Sequence, residues 1–275
     1  MGARSYILSA NAISRRAANG RPYIGLSIAA PTSQNLKRGI MKQEIAILIA
    51  AGKGERMRPL TLSTPKPLVA VHGVPMIETI IGGLLRRGVE RIYIMVGYLG
   101  EQFAYLEEKY PNVTLVPNPE YTVKNNISSI WAAREVMGEK DCFVCEADLY
   151  VSDPSIFEAR ITGSCYFGKF VEGYSGDWLF DTDGAGRITR VGKGGSDKYN
   201  MCGICYLTAA DARTVRDATI AAYQGEGYEQ KYWDEIVDEN LSKLEMTVHP
   251  VPPTAIVEID TVDELKAIDR SYKKI

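Results

Sequence analysis

From Glu44 onward, short apolar runs alternate with stretches whose apolar residues recur three and four positions apart, the pattern of a sheet wrapped by helices. IAILIA (45–50) predicts a buried strand, MIETIIGGLLRR (76–87) a helix, RIYIMV (91–96) a strand and GEQFAYLEEKY (100–110) a helix. VTLV (113–116), NISSIWAAREVM (126–137) and CFVCEA (142–147) continue the series as strand, helix and strand. Repeated strand-helix-strand order joins parallel strands, so the predicted fold class is α/β, with a mostly parallel mixed sheet flanked by helices.

Beyond Asp148 the runs shorten. CYFGKF, DWLFDT, GRITRV and MCGICYL read as short strands separated by GYSG, DGAG and GKGGSDKYN. Helices are predicted near 209–224 and 230–241, a strand at MTVHPV, and a last strand at VEID. A final helix opens with Thr261-x-x-Glu264, a capping-box signature. This half is read as completing the sheet and carrying a small substrate-binding subdomain at about 165–240, within one domain spanning 41–275.

Residues 1–40 differ: six Arg and Lys occur with Ser, Ala and Asn, and no acidic residue precedes Glu44. The composition is similar to that of an organellar transit peptide. A disordered extension, or a start assigned too early with Met41 as the true start, is the preferred expectation.

The chain has a formal net charge of -2, too little positive field to hold DNA or RNA. No apolar run reaches the roughly 18 residues that cross a bilayer, so a soluble, cytoplasmic protein without membrane or nucleic-acid partners is expected; oligomeric state is left open. Five cysteines include Cys142-x-x-Cys145 and Cys202-x-x-Cys205, which invite a zinc site. Both pairs fall in strand-like runs, where residues three apart face opposite ways, so buried thiols are expected instead.

The segment Ala50-Ala51-Gly52-Lys53-Gly54-Glu55-Arg56-Met57-Arg58-Pro59, followed by Thr64-Pro65-Lys66-Pro67-Leu68, starts where the first strand ends, the usual ligand edge of a parallel sheet. Small residues at Ala50, Ala51, Gly52 and Gly54 let backbone N–H groups approach a polyphosphate, and Arg56 and Lys66 supply positive charge. Neither the P-loop spacing nor G-x-G-x-x-G is present. Asp148 and Asp260 each follow an apolar strand and could hold Mg2+ together with phosphates.

The composite A-A-G-x-G-x-R-x-x-P with T-P-K-P-L resembles the signature of the nucleotidyltransferases that make sugar nucleotides and CDP-alcohols. The resemblance implies a Rossmann-like sheet with a nucleoside triphosphate across it, Arg56 and Lys66 on its phosphates, and Asp148 and Asp260 on magnesium. Glu146-Ala147-Asp148 is similar to the family's acidic element, with Glu where its first Asp usually stands, so Glu146 is assigned to the acceptor side.

Four further stretches, Asn125–Ser129, Gly176–Leu179, Lys231–Glu235 and Glu258–Asp260, resemble bacterial CTP:phosphocholine cytidylyltransferases from about Met41 to the end of the chain. That resemblance implies CTP as donor, with Asn126 and Ser128 at cytosine or ribose; both residue types also suit a plain helix cap. It implies an acceptor cage from Trp178, Tyr232, Trp233 and Tyr174, with charge from Asp234, Asp177 or Glu229, because a trimethylammonium group needs aromatic faces. Against choline, Gly203-Ile204-Cys205 stands where another aromatic is expected. Phosphocholine is the expected acceptor, giving CDP-choline and pyrophosphate; aminoethylphosphonate (or phosphoethanolamine) is the first alternative, a sugar phosphate the second and a non-catalytic nucleotide-binding module the third. An ionised phosphate needs no general base to attack, which fits a chain with only His72 and His249.

Overall fold

The computed structural model describes residues 43–274, so the extension expected at 1–40 lies outside the described residues. The strands are β1 (Glu44–Ala50), β2 (Ala70–Val71), β3 (Val74–Pro75), β4 (Arg91–Val96), β5 (Val113–Pro117), β6 (Asp141–Glu146), β7 (Leu149–Val151), β8 (Cys165–Thr182), β9 (Ile188–Leu207), β10 (Thr247–Pro250) and β11 (Ile256–Glu258). The helices are α1 (Met76–Arg87), α2 (Tyr105–Lys109), α3 (Ile127–Ala133), α4 (Ala209–Ala222), α5 (Trp233–Glu239) and α6 (Val262–Ile268). Seven strands form one sheet in the order β10-β8-β9-β6-β1-β4-β5. The ladders β6-β1-β4-β5 and β10-β8 are parallel, and β9 runs antiparallel to both of its neighbours.

The pleat sorts side chains into two cores. Ala46, Leu48 and Ala50 of β1 face the layer of α1 and α2, packed with Ile77, Ile80, Leu84 and Leu106. Ile45 and Ile47 face the layer of α3, α4 and α5. The cysteines follow the same rule: Cys145 and Cys202 lie in the first layer, Cys142 and Cys205 in the second, and all five are free and buried. Burial pushes the Cys142 thiol up to about 12. Helix α1 ends at Gly88, whose φ of 87° lets its N–H turn back to the carbonyls of Leu84 and Leu85.

Four expectations need correction. The segment 100–110 is split into a 3-10 turn at Gly100–Phe103, entered from Leu99 with φ 49°, and the short α2. Helix α3 stops at Ala133, because Val136 and Met137 both donate to the Ala133 carbonyl and tighten the chain into turns. GYSG and GKGGSDKYN do not separate strands; they are bulged parts of β8 and β9, with Gly173 and Gly194 absorbing φ near 75° and 77°. DGAG alone makes the turn, closed by Gly186 N–H donating to the Asp183 carbonyl. The last strand, β11, pairs with β7 in a separate two-stranded sheet and not with the central one.

Adjacent glycines in α1 test this packing. A Cβ at Gly83 would lie 2.3 Å from the buried Phe157 ring, whereas one at Gly82 would meet nothing within 4 Å. Alanine is favoured over glycine in a helix by about 1 kcal/mol, and overpacking a filled core costs about 1–3 kcal/mol. Gly82→Ala is therefore expected to raise the urea midpoint and Gly83→Ala to lower it; equal shifts in one direction would contradict the packing described.

Candidate active site

A cleft of about 780 Å3 opens where β1 and β6 end, large enough for a nucleotide with a small second substrate. One wall is the loop after β1, with Ala50, Ala51, Gly52, Gly54 and Arg56 all on the cleft. A Cβ on Gly52 would meet no protein atom within 4 Å, so the backbone is open there. Gly54 has φ 61°, and a Cβ on it would lie 2.7 Å from Lys66 Cβ. Only glycine lets the loop lie this close to Lys66, and Thr61 Oγ1 secures it by donating to the Gly54 carbonyl at 2.8 Å.

Lys66 opens a 3-10 turn, Lys66–Leu68, behind Pro65, and its side chain is buried beneath the loop. Its Nζ donates to Asp148 Oδ2 at 2.7 Å and to Asp260 Oδ1 at 2.6 Å, while Arg56 reaches Asp260 Oδ1 at 2.9 Å from a mostly exposed position. Burial alone would lower the Lys66 pKa, but the two ion pairs outweigh it and hold it above the ordinary value. Glu146 and Glu258 stand beside the pairs. Burial and the charges of Asp148, Asp234 and Glu258 push Glu146 well up; burial, Asp260 and Asp148 push Glu258 up to about 7. Four acidic side chains thus share the positive charge of Lys66 and Arg56.

Asp148 Oδ2 and Asp260 Oδ1 both accept from the Lys66 ammonium. Two hard carboxylates beside a phosphate-sized opening suit magnesium, which takes one or two protein carboxylates and completes its shell with water and phosphate oxygens. No group of three or more His, Cys, Asp or Glu side chains that could hold a metal ion exists among the described residues.

The opposite end of the cleft is lined by β8, β9 and the start of α5. Trp178 and Tyr232 face it as an edge-on pair with centroids 5.5 Å apart. Trp233 does not: it is buried in the second core against Tyr166, because the first turn of α5 directs it at the sheet. Only its backbone N–H points to the site's edge, donating to Asn126 Oδ1 at 2.9 Å. Tyr174 is 76% exposed and does not line the cleft. Asp234 and Asp177 both line it. Burial pushes the Asp234 carboxyl up to about 7, against a 2.9 Å hydrogen bond from Tyr166 OH that lowers it. Gly203, with φ 67°, has no room for a side chain, since a Cβ would sit 3.0 Å from Glu146 Oε2.

On the remaining wall Asn126 and Ser128 line the cleft, and Asn126 makes no side-chain cap on α3. Ser128 Oγ accepts from Asn118 Nδ2 at 2.9 Å and donates to the Asn125 carbonyl at 2.8 Å. Sequence reasoning missed Asn118, Asn200 and Lys193, which also line the cleft. Lys193 was hidden in a presumed loop; only the β8–β9 register, which sets it opposite Trp178, brings it to the site. Its Nζ lies 5.5 Å from the Trp178 ring centroid and 5.9 Å from that of Tyr232.

Residues 46–163 match the model of the MobA-like NTP transferase domain. A 2-aminoethylphosphonate cytidylyltransferase of Lancefieldella rimae is 52% identical over 227 residues, covering 82% of this chain and 92% of that protein. A choline-phosphate cytidylyltransferase of Streptococcus pneumoniae is 32% identical over 228 residues, covering 83% of this chain and 98% of that one. The solved structure of CTP:phosphocholine cytidylyltransferase from Streptococcus pneumoniae superposes with a TM-score of 0.76 at 32% identity, over 84% of this chain and 100% of that one. Matched over nearly the full length of these relatives at 52% and 32% identity, this chain is a nucleotidyltransferase belonging to the cytidylyltransferase family.

Proposed function

We propose that the enzyme transfers CMP from CTP to 2-aminoethylphosphonate, releasing pyrophosphate, and that phosphocholine is the poorer acceptor. One observation carries the choice: the acceptor end offers hydrogen-bond acceptors and too few aromatic walls. Trp233 is withdrawn into the core and Gly203 is bare, which leaves Trp178 and Tyr232. Asp234 and Asp177 line the same end, as does Asn200, whose buried Oδ1 has no partner among the described residues. A primary ammonium has three N–H groups to give such atoms, whereas a trimethylammonium has none. The 52% identity to an enzyme named for this acceptor supports the same reading.

In the transfer, a phosphonate oxygen attacks the α-phosphorus of CTP in line; the new P–O bond forms as the bond to the bridging oxygen breaks, and its electron pair leaves with pyrophosphate. As with a phosphate monoester, whose second pKa is about 6, the attacking oxygen is largely ionised at neutral pH, so no general base is needed. Lys66, held in place by Asp148 and Asp260, and Arg56 present positive charge to the phosphates. Magnesium held by Asp148 and Asp260 would neutralise further phosphate charge. Ala51, Gly52 and Gly54 of the loop lie along the same wall.

Pyrophosphate release from CTP is expected with 2-aminoethylphosphonate at a kcat/KM at least about tenfold above that with phosphocholine, a difference of about 1.4 kcal/mol. Preference for phosphocholine, phosphoethanolamine or a sugar phosphate would refute the assignment. Lys66→Ala and Asp148→Ala should each lower kcat by about 100-fold or more while keeping cooperative thermal unfolding; near-normal rates would remove that residue from the mechanism.

The raised Asp234 pKa gives a signed pH test. If its carboxylate receives the acceptor's ammonium, it must be ionised, which becomes favourable only as pH rises through about 7. The KM for the acceptor should therefore fall across that window in the wild type. Asp234→Asn should raise the KM and lose that part of the pH dependence; an unchanged profile would exclude Asp234 from amine binding.

A further inference from the structure

Two cations of the β8–β9 ribbon, Lys169 and Lys193, line the cleft. Arg190 and Lys198 are each paired with Asp181, at 2.6 and 3.2 Å. Among the described residues Lys193 makes no such ion pair, and its ammonium lies instead in the corner formed by the Trp178 and Tyr232 rings. Both separations are within the roughly 6 Å over which a ring face attracts a cation.

We propose that Lys193 is a specificity-determining residue, a resident cation that occupies the aromatic corner and so bars quaternary ammonium acceptors. The inference rests on the primary-amine reading of the acceptor given above. A trimethylammonium group has no N–H, so ring faces are its main source of attraction, and here it must either displace Lys193 or share the corner with a like charge. A primary ammonium avoids this conflict, because its partners lie on other side chains. Asn200 Nδ2 donates to Ser175 Oγ at 2.7 Å and to Asp177 Oδ2 at 3.4 Å, the carboxylate accepting only, which leaves Oδ1 without a partner among the described residues. Selectivity then comes from a repulsive element set against the wrong substrate as well as attraction for the right one.

The test uses the full chain with CTP and two acceptors that differ only at nitrogen, 2-aminoethylphosphonate and its N,N,N-trimethyl derivative. Lys193→Met should lower the ratio of kcat/KM values, primary over trimethyl, by about tenfold, chiefly through a smaller KM for the trimethyl acceptor. Lys193→Arg, which keeps the cation, should retain the wild-type ratio. Far-UV circular dichroism of both variants confirms folding. If Lys193→Met leaves the ratio within about twofold, or weakens both acceptors equally as a phosphonate-binding lysine would, the proposal fails while the primary-amine reading stands. A wild-type enzyme that prefers the trimethyl acceptor overturns that reading, and this inference with it.

Discussion

One ammonium organises this site. Lys66 Nζ is shared between Asp148 and Asp260, 82 and 194 residues further along the chain, and it ties the loop after β1 to the ends of two different sheets. The arrangement depends on imbalance. Glu146 and Glu258 crowd the same place with too little positive charge to satisfy them, and both are driven towards their protonated forms. Any positive charge brought to this surface would relieve repulsion within the protein itself.

Much of this was legible in the sequence, and the reasons are local. Strand β4 and helix α1 have the bounds their apolar periodicity predicts, and β1 starts one residue earlier, because burial on two faces or along one stripe leaves a clear mark. The small-residue loop and Lys66 were found from their place after the first strand and from the family signature. Asp148 and Asp260 were found as strand-end acids, though nothing in their spacing says that they share one partner.

What could not be read depended on register and on which way a side chain turns. Trp233 and Tyr232 are neighbours in sequence, yet one fills the core and the other faces the cleft, because successive residues entering a helix point about 100° apart. Lys193 sits among glycines that look like a loop; the bulges that keep β9 continuous are a property of its pairing with β8. The acceptor pocket is therefore the least legible part of the molecule, although its residues were nearly all in view.

The distance along the chain between Lys66 and Asp260 has a consequence for biogenesis. Asp260 is positioned by β11, which must first find β7 across more than a hundred intervening residues. During synthesis the loop, the parallel strands and the β8–β9 ribbon all leave the ribosome before this strand does. A nascent chain that has not yet released β11 lacks Asp260, the shared partner of Lys66 and Arg56, so this ion-pair cluster can close only after β11 has emerged.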